Sequence, residues 1–96
     1  MGKTDHPATW SRQQSMRFII GLLMDRFEDI EDVETRWANA YYAAACIGHS
    51  FGVTKQAFGQ AAADGLPGDT KKMTRQIAEI YWEQVAVELA QIAGAA

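Results

Sequence analysis

Apolar residues in this chain recur three and four positions apart almost from end to end, and nowhere do they alternate with polar ones. A spacing near 3.6 lines one face of a helix, whereas a half-buried strand needs a period of two. The expectation is an all-α protein. At 96 residues it is one compact domain of three to four helices.

The first helix is expected to start at Ser11, where Ser11 and Gln14 have the spacing of a capping box. Its apolar face reads Met16, Ile19, Ile20, Leu23, Phe27 and Ile30, with Phe18 and Leu22 four apart on a neighbouring strip. Asp25, Glu28, Asp29, Glu31, Asp32 and Glu34 follow closely, and like charges this dense disfavour a continuous helix. They suit a helix N-terminus, which places a break near Asp29–Asp32 with Asp32 as the next cap. The second helix carries Val33, Trp37, Ala40, Tyr41, Ala44, Ile47 and Phe51 on one stripe, and Gly52 fits the left-handed residue that ends it. Thr54 caps a short third helix through Ala63, with Ala57, Phe58, Ala61 and Ala62 inward. After the Gly65-Leu66-Pro67-Gly68 turn, Asp69 or Thr70 caps a fourth helix running to Ala93. Its main stripe is Ile77, Ala78, Tyr81, Val85, Leu89 and Ile92; Met73, Ile80 and Val87 form a second, seven apart. Residues 1–10 are polar and aperiodic and read as a loose arm, leaving 11–96 as the helical domain.

No run of apolar residues is long enough for a membrane span, and the first residues lack the apolar stretch of a signal peptide. The expected compartment is the cytoplasm, with which the single Cys46 agrees. The net charge of −3 lacks the basic excess usual in a nucleic-acid binder.

Few residue patterns in the chain are suited to chemistry. Gly2-Lys3-Thr4 has the end of a phosphate-binding loop without its first glycine or its strand. Glu28-x-x-Glu31-x-x-Glu34 resembles the paired carboxylates by which all-α nucleotide pyrophosphohydrolases hold magnesium. The second acidic pair of that pattern is missing, since after Glu34 the second helix offers Arg36 and Asn39. Cys46 and His49 share a helical face, but no third group accompanies them, and Cys46 is expected to be a buried structural residue. No catalytic, metal or cofactor site is therefore expected, and the chain reads as something other than an enzyme.

Residues 47–61, from Ile47 through Gly48, Gly52 and Thr54 to Ala61, resemble a helix-turn-helix. The turn needs Gly52, close packing needs Gly48, and the flanking core positions are Ile47, Phe51, Val53 and Phe58. That resemblance implies that Lys55, Gln56 and Gln60 face bases or phosphates, in a dimeric DNA-binding regulator. Against it stand one lysine and no arginine on the reading helix, Gly59 in its middle and Asp64 near its end.

The remaining feature is surplus apolar surface. Phe18 and Leu22 on the first helix, and Met73, Ile80 and Val87 on the fourth, exceed what one core-facing stripe can hide. At 100° per residue the latter three fall roughly 60–100° from the main stripe. Such strips serve a dimer seam or a partner groove, so a homo-oligomer and a protein partner are expected. Size, acidity, helical pattern and surplus apolar surface together resemble a small bacterial antiactivator of a quorum-sensing transcription factor. The resemblance implies occlusion: apolar anchors seat in a groove on the target, and acidic residues at the rim mimic or repel DNA.

Overall fold

The helices begin where a side chain can accept the orphan N–H groups of a first turn. In the computed structural model, which describes residues 10–95, there are four: α1 (Arg12–Arg26), α2 (Val33–Ser50), α3 (Lys55–Ala63) and α4 (Gly68–Ala95). Among the described residues there is no strand. The arm expected over 1–10 lies outside the described residues except for Trp10, which is not helical.

The local signals act as expected. Ser11 Oγ accepts from the Gln14 N–H at 3.1 Å while Gln14 Oε1 accepts from the Ser11 N–H at 2.7 Å, a complete capping box. Asp32 caps α2, accepting from the Thr35 N–H at 2.9 Å and from its hydroxyl. Thr54 Oγ1 accepts from the Ala57 N–H at 3.1 Å and caps α3. Gly52 ends the α2 segment at φ 71, where a β-carbon would be strained. Arg36 ties the acidic turn down by donating from Nε and Nη2 to the Ile30 carbonyl at 3.1 and 2.7 Å.

The Asp32 cap carries a pH dependence. Its side-chain and backbone hydrogen bonds to Thr35 hold the carboxyl below its ordinary 3.8. A depressed folded-state value stabilises the protein above the unfolded pKa and is lost as pH falls through the folded one. Asp32→Ala should therefore lower the thermal midpoint at neutral pH. The gap from wild type should close as the buffer is taken below 3.8. Melts of the two proteins that stay equally far apart down to strong acid contradict this cap.

Core and topology are linked. α1 packs on α2 and α3, and α4 packs on the same two helices, while α1 and α4 touch only marginally. In the middle lie Met16 and Ile20 of α1, Tyr41 and Ala44 of α2, Phe58 and Ala61 of α3, and Ala78, Trp82 and Val85 of α4. Trp82 is the hub. Its ring lies 5.0 Å from that of Phe58 and stacks on the His49 ring at 3.7 Å. Gly48 and Gly59 permit this closeness. A β-carbon at Gly48 would fall 2.7 Å from Trp82 Cζ3, and one at Gly59 would fall 2.9 Å from Arg75 Cγ. The small residue at Gly48 thus serves α4 and α1, rather than close packing of α2 on α3.

Several expected positions differ. Ile30 lies in the turn after α1, because the chain leaves the helix at Phe27. Val33, Trp37 and Phe51 were expected inside α2's stripe but are exposed; burial on α2 narrows to Ala40, Tyr41, Ala44, Ala45 and Gly48, where small side chains let the other helices close in. On α4, Ile77 and Ile92 are exposed and Trp82 is buried instead, because the core direction is set by contact with α2 and α3 together. α4 starts at Gly68, ahead of both expected caps, Asp69 and Thr70, with the Pro67 carbonyl accepting from the Lys71 N–H at 3.1 Å, and it runs past Ala93 to Ala95. Cys46 is half-buried against the core rather than within it.

Candidate protein interface

Exposed apolar side chains gather on α1 and on α4, the latter group continued by Val33 and Trp37 of α2. On α1, Phe18 and Leu22 are each about half exposed, at 51% and 52%. Trp10 meets the Phe18 ring edge-on at 5.2 Å. Together with Gly21, Arg17 and Asp25 these residues line an open groove. Nothing lies within 4 Å of where a Gly21 β-carbon would stand, so the floor is free. One wall is braced by the ion pair of Arg17 Nη1 with Asp64 Oδ2 at 2.7 Å, which links α1 to the end of α3. Both partners are well exposed, so the bridge positions more than it stabilises. Past Leu22 the surface is mainly acidic: Asp25, Glu28 and Asp29 are exposed, with the exposed Arg26 among them.

On α4, Met73, Ile80 and Val87 are 61%, 63% and 57% exposed, which places the strip expected from the sequence on the surface of the single chain. Ile77 joins them. Beside Ile77, α2 and α4 form an apolar groove with Val33 and Trp37 on one wall and Tyr41 and Tyr81 beneath. The aromatics brace one another, Trp37 to Tyr41 at 5.9 Å and Tyr41 to Tyr81 at 6.1 Å. Burial pushes the Tyr41 phenol up to about 12, so it stays neutral at physiological pH. Tyr42 donates to Glu88 Oε1 at 2.7 Å and pins α2 to α4; that bond, made to a carboxylate, raises the phenol's pKa.

The five residues expected at an interface thus fall into two faces, Phe18 and Leu22 on α1 and Met73, Ile80 and Val87 on α4. Those two helices scarcely pack together. Trp37 and Ile77 enlarge the second face and were assigned to the core from periodicity. The signal that could have found Ile77 is its place between Met73 and Ile80 in a four-then-three spacing.

The three residues expected on DNA are brought together: Lys55, Gln56 and Gln60 line one polar hollow with Arg75 and Glu79, and Gln60 borders a second with Lys71 and Asp64. Lys55 is half-buried, its Nζ 3.2 Å from Glu83 Oε2.

The chemical candidates are placed apart. The His49 Nε2 lies 3.0 Å from the Trp82 carbonyl, a bond in which that nitrogen carries the proton. Its ring face is against Trp82, so His49 serves packing between α2 and α4. Glu28, Glu31 and Glu34 are all exposed along the turn and the start of α2. Among the described residues no three His, Cys, Asp or Glu side chains gather into a metal-binding group, and no helix is long and apolar enough to cross a membrane. Compared with family models, with curated proteins and with solved structures, the chain matches none.

Proposed function

We propose that this chain is a cytoplasmic regulatory protein that acts by protein–protein contact, sequestering a partner such as a transcriptional activator. One observation carries the reading: an exposed apolar groove on α1 has Asp25 in its lining, and exposed Glu28 and Asp29 follow on the turn after the helix. Phe18 and Leu22 supply anchors, and Asp25, Glu28 and Asp29 supply a field that suits a basic surface. A DNA-binding protein presents such a surface, and covering it blocks DNA. Phe18 and Leu22 are already half buried, so covering the remainder contributes about 1 kcal/mol each, roughly half the value for a fully exposed side chain.

The test is capture from a lysate of cells in which the protein is native, treated with nuclease. A partner should be retained by wild type and released as salt rises. Leu22→Asp should weaken that complex by roughly ten- to a hundredfold and leave the helical spectrum unchanged, because Leu22 is half exposed. Capture that ends with nuclease treatment, or that is indifferent to Leu22→Asp, removes this reading.

DNA binding by α3 is the second reading, favoured by the grouping of Lys55, Gln56 and Gln60 with Arg75 around one hollow. The ion pair of Lys55 with Glu83, and Glu79 within the same hollow, oppose it. Selection from a random duplex library at low salt decides: an enriched sequence supports it, and none removes it.

A further inference from the structure

We infer that the exposed face of α4 pairs with α4 of a second copy of this chain, parallel and in register, over residues 73–91. This face is separate from the α1 groove, so the pairing does not depend on the target proposed for that groove.

The first observation is the spacing. Met73, Ile77, Ile80, Gln84, Val87 and Gln91 alternate four and three apart, and all six are exposed. That is the a/d repeat of a two-stranded coiled coil, whose seam follows a period of 3.5. Six seam positions on one 28-residue helix form a ridge that only another long helix of the same repeat can match along its length. The chain holds one such helix, and a second copy supplies the other.

The second observation is area. Met73, Ile77, Ile80 and Val87, with Val33 and Trp37 beside them, are between 40% and 63% exposed. They present roughly 600 Å² of apolar side chain, the upper limit for the largest patch on an ordinary monomer and close to the ~800 Å² per partner of a stable interface. The amides of Gln76, Gln84 and Gln91 extend the contact.

The third observation is charge. Two copies of a chain with net charge −3 repel, yet no seam residue is charged. The carboxylates flanking the seam are engaged within their own chain, Glu83 by Lys55 at 3.2 Å and Glu88 by the Tyr42 hydroxyl at 2.7 Å.

The two glutamines select the orientation. In an antiparallel pair a positions meet d positions, so Gln84 and Gln91 would face isoleucine or methionine and leave amides unbonded. In a parallel, in-register pair Gln84 meets Gln84 and Gln91 meets Gln91, and each amide both donates and accepts. A buried amide needs that partner, and a polar a position fixes register for the same reason.

Sedimentation equilibrium at tens of micromolar, with circular dichroism on the same samples, tests the face. Wild type should weigh two chains. Ile80→Glu should remain as helical and weaken association at least a hundredfold, since it sets two carboxylates against each other at the seam. Val87→Glu, two turns along the same seam from Ile80, serves if Ile80→Glu unfolds. A wild type that stays a single chain, or a dimer indifferent to both substitutions, overturns the proposal. Orientation is read from Val87→Cys in a Cys46→Ala background: mild oxidation should link the two chains in high yield. A dimer that Ile80→Glu dissolves but that does not cross-link through position 87 overturns the in-register arrangement.

Discussion

Phe58→Ala should cost about 3–5 kcal/mol, a large part of the ~5–15 kcal/mol that holds a domain of ordinary stability together. Phe58 has no exposed surface and is the largest fully buried side chain. It lies on the short helix α3, which packs on both α1 and α4, so its ring fills the space where three helices converge. Truncation leaves a void beside Trp82, whose ring is also held by stacking on His49 and cannot swing freely to fill the gap. In a domain this size the loss corresponds to a fall in Tm of roughly 12–40 °C. Urea unfolding of the two proteins measures it. A loss below 1 kcal/mol would mean that the core is not centred where α1, α3 and α4 meet.

Gly48→Val should be nearly as damaging, at about 3 kcal/mol. A β-carbon at this position lies 2.7 Å from Trp82 Cζ3, 3.1 Å from Cη2 and 3.3 Å from Met16 Sδ, before the two methyl groups are added. Contacts under 3 Å can relax if the neighbour is mobile, but the Trp82 ring is held by His49 and Phe58, and Met16 is 1% exposed. α2 would have to move off α4, breaking the bond between His49 Nε2 and the Trp82 carbonyl. Gly21→Ala is the matched control. It too is a helical glycine, but nothing stands within 4 Å of its β-carbon, so alanine should stabilise by about 0.5–1 kcal/mol through helix propensity alone. Thermal melts of both variants separate the effects: opposite signs support the packing account, whereas two stabilised proteins refute it.

Both substitutions concern Trp82, which periodicity left outside α4's core stripe. The reason lies in how a stripe becomes a core. A helix in a four-helix arrangement meets neighbours on two sides, and the buried sector is centred between them, not on the most apolar line of the wheel. On α4 that sector takes in Ala78, Trp82 and Val85 and leaves Ile77 and Ile92 in solvent. The same displacement on α2 exposes Val33 and Trp37, which then border the α2–α4 groove. Half of the α4 face was therefore legible in advance, in the seven-residue recurrence of Met73, Ile80 and Val87. Ile77 stands in the same four-then-three spacing, whereas Trp37 joined the face only once the helices were in place.

What the sequence by itself determined are features made within three or four residues of chain. The Ser11–Gln14 box, the Asp32 and Thr54 caps and the turn at Gly52 each depend on one local hydrogen bond or one backbone conformation, and each stands where residue type and spacing put it. Helix number and nearly every boundary follow from them. What only the tertiary structure decided are relations between distant segments: that Gly48 accommodates Trp82 thirty-four residues away, that Lys55 meets Glu83, and that the apolar strips of α1 and α4 form two faces instead of one. Local bonds leave the separation and crossing of helices open. Those are set by which side chains can close-pack at interior density, and that is a property of all four helices at once.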